Sequence, residues 1–335
     1  MSAAKRIAVI TGGAGFIGSH AVDLALAQGY RVHVIDNLTG GRLDNLAHHR
    51  AEPDLVFEEG DIRAIQADSP LFRGAECVLH FAGIGDIVPS IERPAEYMSV
   101  NVQGTVAVLE AARQAGVGKL VYAASSSCYG LAAVPTSEDH PIETCYPYAL
   151  SKYQGEQACL HWLRVYGLPV NVIRIFNAYG IRSRTSGAYG AVFGVFLRQK
   201  LACQPFTVVG DGTQTRDFLY VTDVAAAFLA AAQTELTGRI WNLGASRPQS
   251  INRLVELLGG GPVTNLPKRP GEPDCTWADT RRIQTDLGWA PQVSFEEGVA
   301  KVLADIDYWR EAPLWTPERI ADATRTWFAM LSRED

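Results

Sequence analysis

The 335-residue sequence predicts an α/β protein: a doubly wound parallel sheet followed by a smaller, mixed α/β region toward the C-terminus. Three observations carry that reading. Short apolar, β-branched runs alternate with helical segments through the first half. A glycine cluster stands where the first strand gives way to the first helix. After residue 176 the alternation breaks into Gly- and Pro-bearing loops between shorter elements.

In chain order, residues 6–11 (RIAVIT) read as the first strand, and 16–28 as a helix closed by Gly29. Further strands follow at 31–35, near 55–58, and at 77–81, 119–123 and 170–175, with helices notably over 96–115 and 148–166. Strands this apolar, separated by helices, imply a sheet covered on both faces. Beyond 176, loops at 180–190, 204–217 and 259–275 separate helices near 191–202, 222–233, 250–258 and 294–310. The expected organisation is therefore 1–176, an interleaved region 177–315, and a C-terminal helix 316–335. Thr316-Pro317 supplies an N-cap and first helical position, and Trp315 is placed to staple onto Ile320. Ile320, Trp327, Phe328 and Leu331 share one face, which suits packing better than chemistry.

Composition narrows the function. Hydrophobic residues are 47%, charged residues 20% and the net charge −6, the balance of a globular chain without a basic stripe. Nucleic-acid binding has no support. The longest apolar stretch, near 221–232, is too short for a membrane span and contains Asp223. The N-terminus runs straight into the strand-and-glycine pattern, leaving no room for a signal peptide, so the cytoplasm is the expected location. Six cysteines show neither a C-x-x-C pair nor zinc spacing; reduced thiols and no metal are expected.

Gly12, Gly15 and Gly18 sit between strand and helix, with Phe16 and Ile17 opening the helix. Glycines there let the backbone approach a pyrophosphate, and the helix N-terminus offers N–H groups and a positive dipole. The spacing, G-x-x-G-x-x-G, is one residue longer than the usual dehydrogenase fingerprint. The second strand ends at Asp36-Asn37, and a carboxylate eighteen residues past Gly18 can accept ribose hydroxyls while repelling a 2′-phosphate. That favours NAD over NADP; Arg42, six residues on, reads as surface.

Tyr148 and Lys152, four apart on a helix, share a face. A phenol is a poor base near neutrality, and a neighbouring ammonium with a cationic nicotinamide is expected to lower its pKa. The fifth strand runs into Ser125-Ser126-Ser127 at the carboxyl edge of the sheet, where open α/β sheets bind ligands.

Together TGGAGFIGSH, HFAG (80–83), SSSCYG (125–130), YPYALSK (146–152), FNAYG (176–180) and GDGTQTRDFLYVTDV (210–224) resemble extended short-chain dehydrogenases/reductases with a Rossmann-type sheet, in the NAD-dependent nucleotide-sugar epimerase/dehydratase branch. They are most similar to UDP-glucose 4-epimerases. The resemblance covers about residues 5–310. It implies Ser125 as the hydroxyl that hydrogen-bonds the sugar O4, Tyr148 as acid/base, and Lys152 as the residue on the nicotinamide ribose. Phe81, Ala82 and Gly83 join the cofactor site, and Asn101 supports the surroundings of Lys152. Asp61-Ile62 reads equally as an adenine-holding pair or as a simple turn cap. Ser126 and Asn177 become substrate contacts, Arg216 and Arg269 diphosphate ligands, and Glu272 a partner of the uridine ribose. A homodimer through the helices near 96–115 and 148–166 is expected by the same analogy.

The related 4,6-dehydratases carry Asp-Glu directly after the Ser/Thr, and the decarboxylases place a glutamate where Ser127 stands. Ser126 and Ser127 cannot serve as acid or base for those reactions. The pattern therefore implies 4-epimerisation of a UDP-hexose through a transient 4-keto sugar. Small Thr276 leaves room for a 2-acetamido group, and Gly85 replaces a lysine of many UDP-glucose 4-epimerases, so N-acetylhexosamine and uronic acid equivalents stay open.

Overall fold

A computed structural model describes residues 5–185 and 192–332. The loop expected over 180–190 and the first residue of the helix expected over 191–202 lie partly outside them. The first layer comprises β1 (Ile7–Thr11), α1 (Phe16–Ala27), β2 (Arg31–Asp36), β3 (Leu55–Glu59), β4 (Ala75–His80), α2 (Ile87–Glu92), α3 (Pro94–Met98), α4 (Thr105–Gln114), β5 (Lys119–Ser125), α5 (Pro147–Tyr166) and β6 (Val170–Ile175). The remainder runs β7 (Asn177–Tyr179), α6 (Val192–Leu201), β8 (Phe206–Val209), β9 (Thr215–Arg216), β10 (Phe218–Tyr220), α7 (Val221–Gln233), β11 (Ile240–Leu243), β12 (Gln249–Ser250), α8 (Ile251–Leu257), β13 (Val263–Leu266), α9 (Arg281–Leu287), α10 (Phe295–Ala304), α11 (Pro317–Ala323) and α12 (Arg325–Leu331).

Seven strands form one parallel sheet in the order β11-β6-β5-β4-β1-β2-β3. The order reverses between β1 and β4, and a crevice opens at the carboxyl ends of the strands there. The six sequence-predicted strands are all present. The seventh was missed: β11 is four residues, too short for periodicity, yet it pairs with β6 from Ile240↔Val172 to Leu243↔Ile175. Its Trp241 and Leu243 are fully buried, with Phe228 of α7 and Val22 of α1 in the same cluster. Residues well beyond 176 thus complete the first layer. The opposite face buries Val108, Leu109, Tyr122 and Cys159.

The helix expected over 96–115 is present but not α-helical throughout. It starts at Pro94, passes through a π-helical turn at Ser99–Gly104 and resumes as α4. The turn carries the buried Asn101, a placement that such bulges commonly give to functional side chains. The smaller region has its own aromatic core, with Phe218 stacked on Phe295 at 5.2 Å and Tyr179 on Phe193 at 4.5 Å. Of the single C-terminal helix expected at 316–335, residues 333–335 lie outside the described residues, and the described part is two short helices broken at Thr324, whose hydroxyl donates to the Ile320 carbonyl. Thr316 caps the first as expected, accepting from Arg319 N. No helix among the described residues is long and apolar enough to cross a membrane, and all six cysteines are free.

Candidate active site

The glycine loop is held by the sheet beneath it. Gly12 N donates to Ile35 O at 2.8 Å, and Gly12 has φ +72°, a conformation that favours glycine. A Cβ on it would stand 2.7 Å from Ala82 N, and one on Gly18 would stand 2.1 Å from Gly12 O. These two positions must be bare for the loop to lie between α1 and the tip of β4. Gly15 then starts α1 without any side-chain cap, so Phe16 and Ile17 begin the helix with its first N–H groups open.

Asp36, 7% exposed, accepts from Ala14 N at 3.0 Å and Leu38 N at 2.8 Å. Burial raises its pKa, and those backbone N–H groups oppose the rise. Asn37 reaches from the same corner to Asp61 at 3.3 Å. Asp61 caps the turn at Ile62–Ala64 through Arg63 N and pairs with the Arg63 guanidinium, which holds its carboxyl at about 2. The capping alternative is thus directly visible. Arg42 is exposed beside Asp44, as expected of a surface residue.

On the other side of the crevice, Phe81 N donates to Thr11 O, and its ring packs 4.5 Å from Phe228. Asn101 brackets the next loop: its Oδ1 accepts from Ile84 N at 2.8 Å, and its Nδ2 donates to Ile84 O and to Ser151 Oγ, both at 2.9 Å. Gly83 lies against it; a Cβ there would be 2.9 Å from Asn101 Oδ1 and 3.8 Å from Lys152 Nζ. Asn101 therefore couples the loop after β4 to the helix of Lys152.

Tyr148 and Lys152 emerge from the first turns of α5, which Pro147 opens. Ser125, the last residue of β5, hydrogen-bonds the Tyr148 phenol and also Ser127, Oγ to Oγ at 3.0 Å. Tyr146 stacks on Tyr148 at 6.5 Å, and Tyr97 meets it edge-on at 6.4 Å. Lys152 Nζ sits 4.5 Å over the Tyr122 ring, and burial pushes its pKa down to about 8. Burial also raises Tyr148, with the Ser125 bond opposing and Asp86 adding to the rise. The lowering of Tyr148 expected from the sequence is not achieved by this chain's own groups.

Two cavities of about 440 and 330 Å³ open beside this cluster. The larger is walled by residues such as Thr207, Gln214, Ile251 and Trp309, the smaller by Ser126, Ser127, Tyr146 and Thr276. Asn177, Arg216, Arg269, Glu272 and Asp86 line both, so they mark the passage between them. Arg216 donates to Glu272 Oε1 at 2.9 Å, and Arg269 lies 3.6 Å from Glu272 Oε2. Glu272 Oε2 and Gln214 Oε1 are buried without a hydrogen bond. Asn177 Oδ1 accepts from Thr276 at 2.7 Å. Two guanidiniums at the junction of two chambers suit an anion bridging two larger groups.

Residues 8–244 match the model of the NAD-dependent epimerase/dehydratase family. The chain belongs to that family. Among its relatives, a putative UDP-glucose 4-epimerase of Methanocaldococcus jannaschii is 36% identical, over 88% of this chain and 96% of its own length. The UDP-glucuronic acid 4-epimerase of Bacillus cereus, solved with UDP-glucuronic acid and NAD, superposes with a TM-score of 0.83 at 30% identity, covering 91% of this chain and 99% of that one. The dTDP-glucose 4,6-dehydratase of Streptomyces venezuelae, solved with NAD, gives 0.82 at 30% identity, covering 90% and 98%.

This member of the epimerase/dehydratase family also contains structural groups that the sequence reading passed over. Glu156, one turn beyond Lys152, makes a bidentate bond to Arg174 of β6, at 2.6 and 2.9 Å, with both side chains buried. Arg174 also donates to Tyr129 Oη, which donates to Asn242 of β11. A lone arginine in the apolar run VNVIRIF was the available signal, because such a charge needs a buried partner. Asp217, fully buried, accepts from Ala278, Ser246 and Arg247 N–H groups and ties three loops under the passage. Outside the cleft, His48 and His49 each place Nε2 2.8 Å from Asp23, whose other oxygen accepts from Arg182; the guanidinium already answers that charge.

Proposed function

We propose that this chain is an NAD-dependent nucleotide-sugar 4-epimerase acting on a UDP-hexose, a UDP-N-acetylhexosamine or a UDP-uronic acid. One observation carries the reading. Tyr148 lies beside Ser125, and the next two residues, Ser126 and Ser127, line a sugar-sized chamber at positions where a dehydratase or decarboxylase of this family needs carboxylates. The nearby acid, Asp86, is paired with Arg184 at 2.5 Å.

The glycine loop fits a dinucleotide pyrophosphate because a Cβ at Gly12 or Gly18 would meet backbone at the positions given above. Gly12, Gly15, Phe16 and Ile17 would hold the phosphates, Asp36 and Asn37 the adenosine ribose, and Asp61-Ile62 the adenine. Phe81, Ala82, Gly83 and Lys152 would border the nicotinamide half. NAD supplies a reversible hydride acceptor there.

Tyr148 takes the proton of the sugar C4 hydroxyl and later returns it, while Ser125 holds O4 by a hydrogen bond. The ammonium of Lys152 stabilises the phenolate electrostatically, and Asn101 fixes the helix that bears it. Burial raises the Tyr148 pKa, and a cationic nicotinamide beside it would act against that rise. Arg216 and Arg269 grip the diphosphate at the junction, and Glu272, freed from them, turns to the nucleoside ribose. Asn177 and Ser126 line the hexose. Because Thr276 is small and bonded to Asn177, a 2-acetamido group has room beside it.

The test is to incubate the purified protein and NAD with a panel of UDP-sugars and identify the products. C4 epimers are expected. A 4-keto-6-deoxy sugar, released CO₂, or no turnover of any UDP-sugar would overturn the reading.

A further inference from the structure

The family resemblance read from the sequence covers about residues 5–310. The two solved relatives described above are matched over 99% and 98% of their length, against 91% and 90% of this chain. The C-terminal segment reaches the cleft. Trp327 of α12 is 6% exposed and walls the smaller chamber together with Ser126 and Tyr146. Its indole Nε1 donates to Pro270 O at 2.8 Å, and its ring carries the Arg269 guanidinium at 5.4 Å. One residue earlier, Thr326 donates to Glu92 of α2 at 2.9 Å. Since Ile87 and Val88 of α2 line the same chamber, α12 is fastened both to the Arg269 loop and to an element of the chamber wall.

We propose that this segment is a strap that completes the substrate site, with Trp327 as the positioning residue for Arg269; the inference rests on the nucleotide-sugar reading. An arginine on a loop loses much side-chain freedom when it grips a phosphate. Stacking on Trp327 and pairing with Glu272 remove part of that freedom in advance. The bond to Pro270 fixes the backbone of the same loop, so the guanidinium meets the diphosphate already oriented. Binding of the nucleotide-sugar, more than the chemistry at Tyr148, then depends on the strap.

Calorimetric titration of UDP into the intact, NAD-loaded protein tests this without requiring turnover. Trp327→Ala should weaken UDP binding about tenfold, the joint effect of one cation–π contact and one hydrogen bond. KM for the UDP-sugar should rise far more than kcat falls, and NAD affinity should stay as in the unsubstituted chain. Trp327→Phe keeps a ring under Arg269 but loses the bond to Pro270, and should fall between the two. Unchanged UDP affinity in Trp327→Ala overturns the strap while leaving the epimerase reading standing. If that variant does not fold, Trp327→Phe decides, and unweakened binding there is equally fatal. Failure of the unsubstituted chain to bind UDP overturns the nucleotide-sugar reading and the strap with it.

Discussion

The two halves of the cleft are built by different means. On the sheet side, the shape comes from backbone: a glycine loop with no room for side chains, strand ends in parallel register, and a helix starting without a cap. On the other side, strands of two to four residues and long loops bring Asn177, Arg216, Arg269, Glu272 and Thr276 together through side-chain bonds. Local sequence dictates the first kind of surface, because a required φ or an absent Cβ is written at each position. The second kind exists only when distant segments meet. Tyr148 belongs to the first kind, at the start of α5 beside Ser125 at the end of β5.

That contrast can be broken or sharpened by substitution. The largest effect is expected from Tyr148→Phe, which removes the proposed proton acceptor: turnover of the UDP-sugar should drop by about 10²–10⁴-fold while NAD binding persists. Unchanged kcat would remove Tyr148 from the chemistry. Next comes Glu156→Ala, which strands the buried Arg174 and should cost about 3–5 kcal/mol in chemical denaturation. A loss below about 1 kcal/mol would mean that the pair does not clamp α5 to the sheet.

Gly12→Ala attacks the backbone-built half. Its Cβ would collide with Ala82 in a φ that disfavours any side chain, so NAD binding should weaken roughly tenfold or more, with UDP binding little altered. Arg216→Ala attacks the other half, and UDP affinity should fall about tenfold with NAD affinity intact. Equal losses of both ligands in either variant would show that the halves are not separable.

Much of the first half was legible in the chain. Six strands, the glycine loop and the four-residue spacing of Tyr148 and Lys152 follow from periodicity and φ requirements alone. The seventh strand was not, since Ile240–Leu243 is a strand only because β6 lies beside it. The π-helical turn at Ser99–Gly104 was also hidden, although its Asn101 bonds Ile84 and Ser151. The C-terminal face with Ile320 and Trp327 was readable as something that packs, but not what it would pack against.

The sequence by itself determined the first six strands of the sheet, the bare loop and the shared helix face of Tyr148 and Lys152, because each depends on residues within a few positions of one another. Only the tertiary structure decided that Arg269 rests on Trp327, that Arg216 shares Glu272 with it, and that Glu156 meets Arg174. Those contacts join segments separated by up to fifty-eight residues, as between Arg269 and Trp327. No local pattern encodes such a distance; burial of charge and aromatic surface in one shared space does.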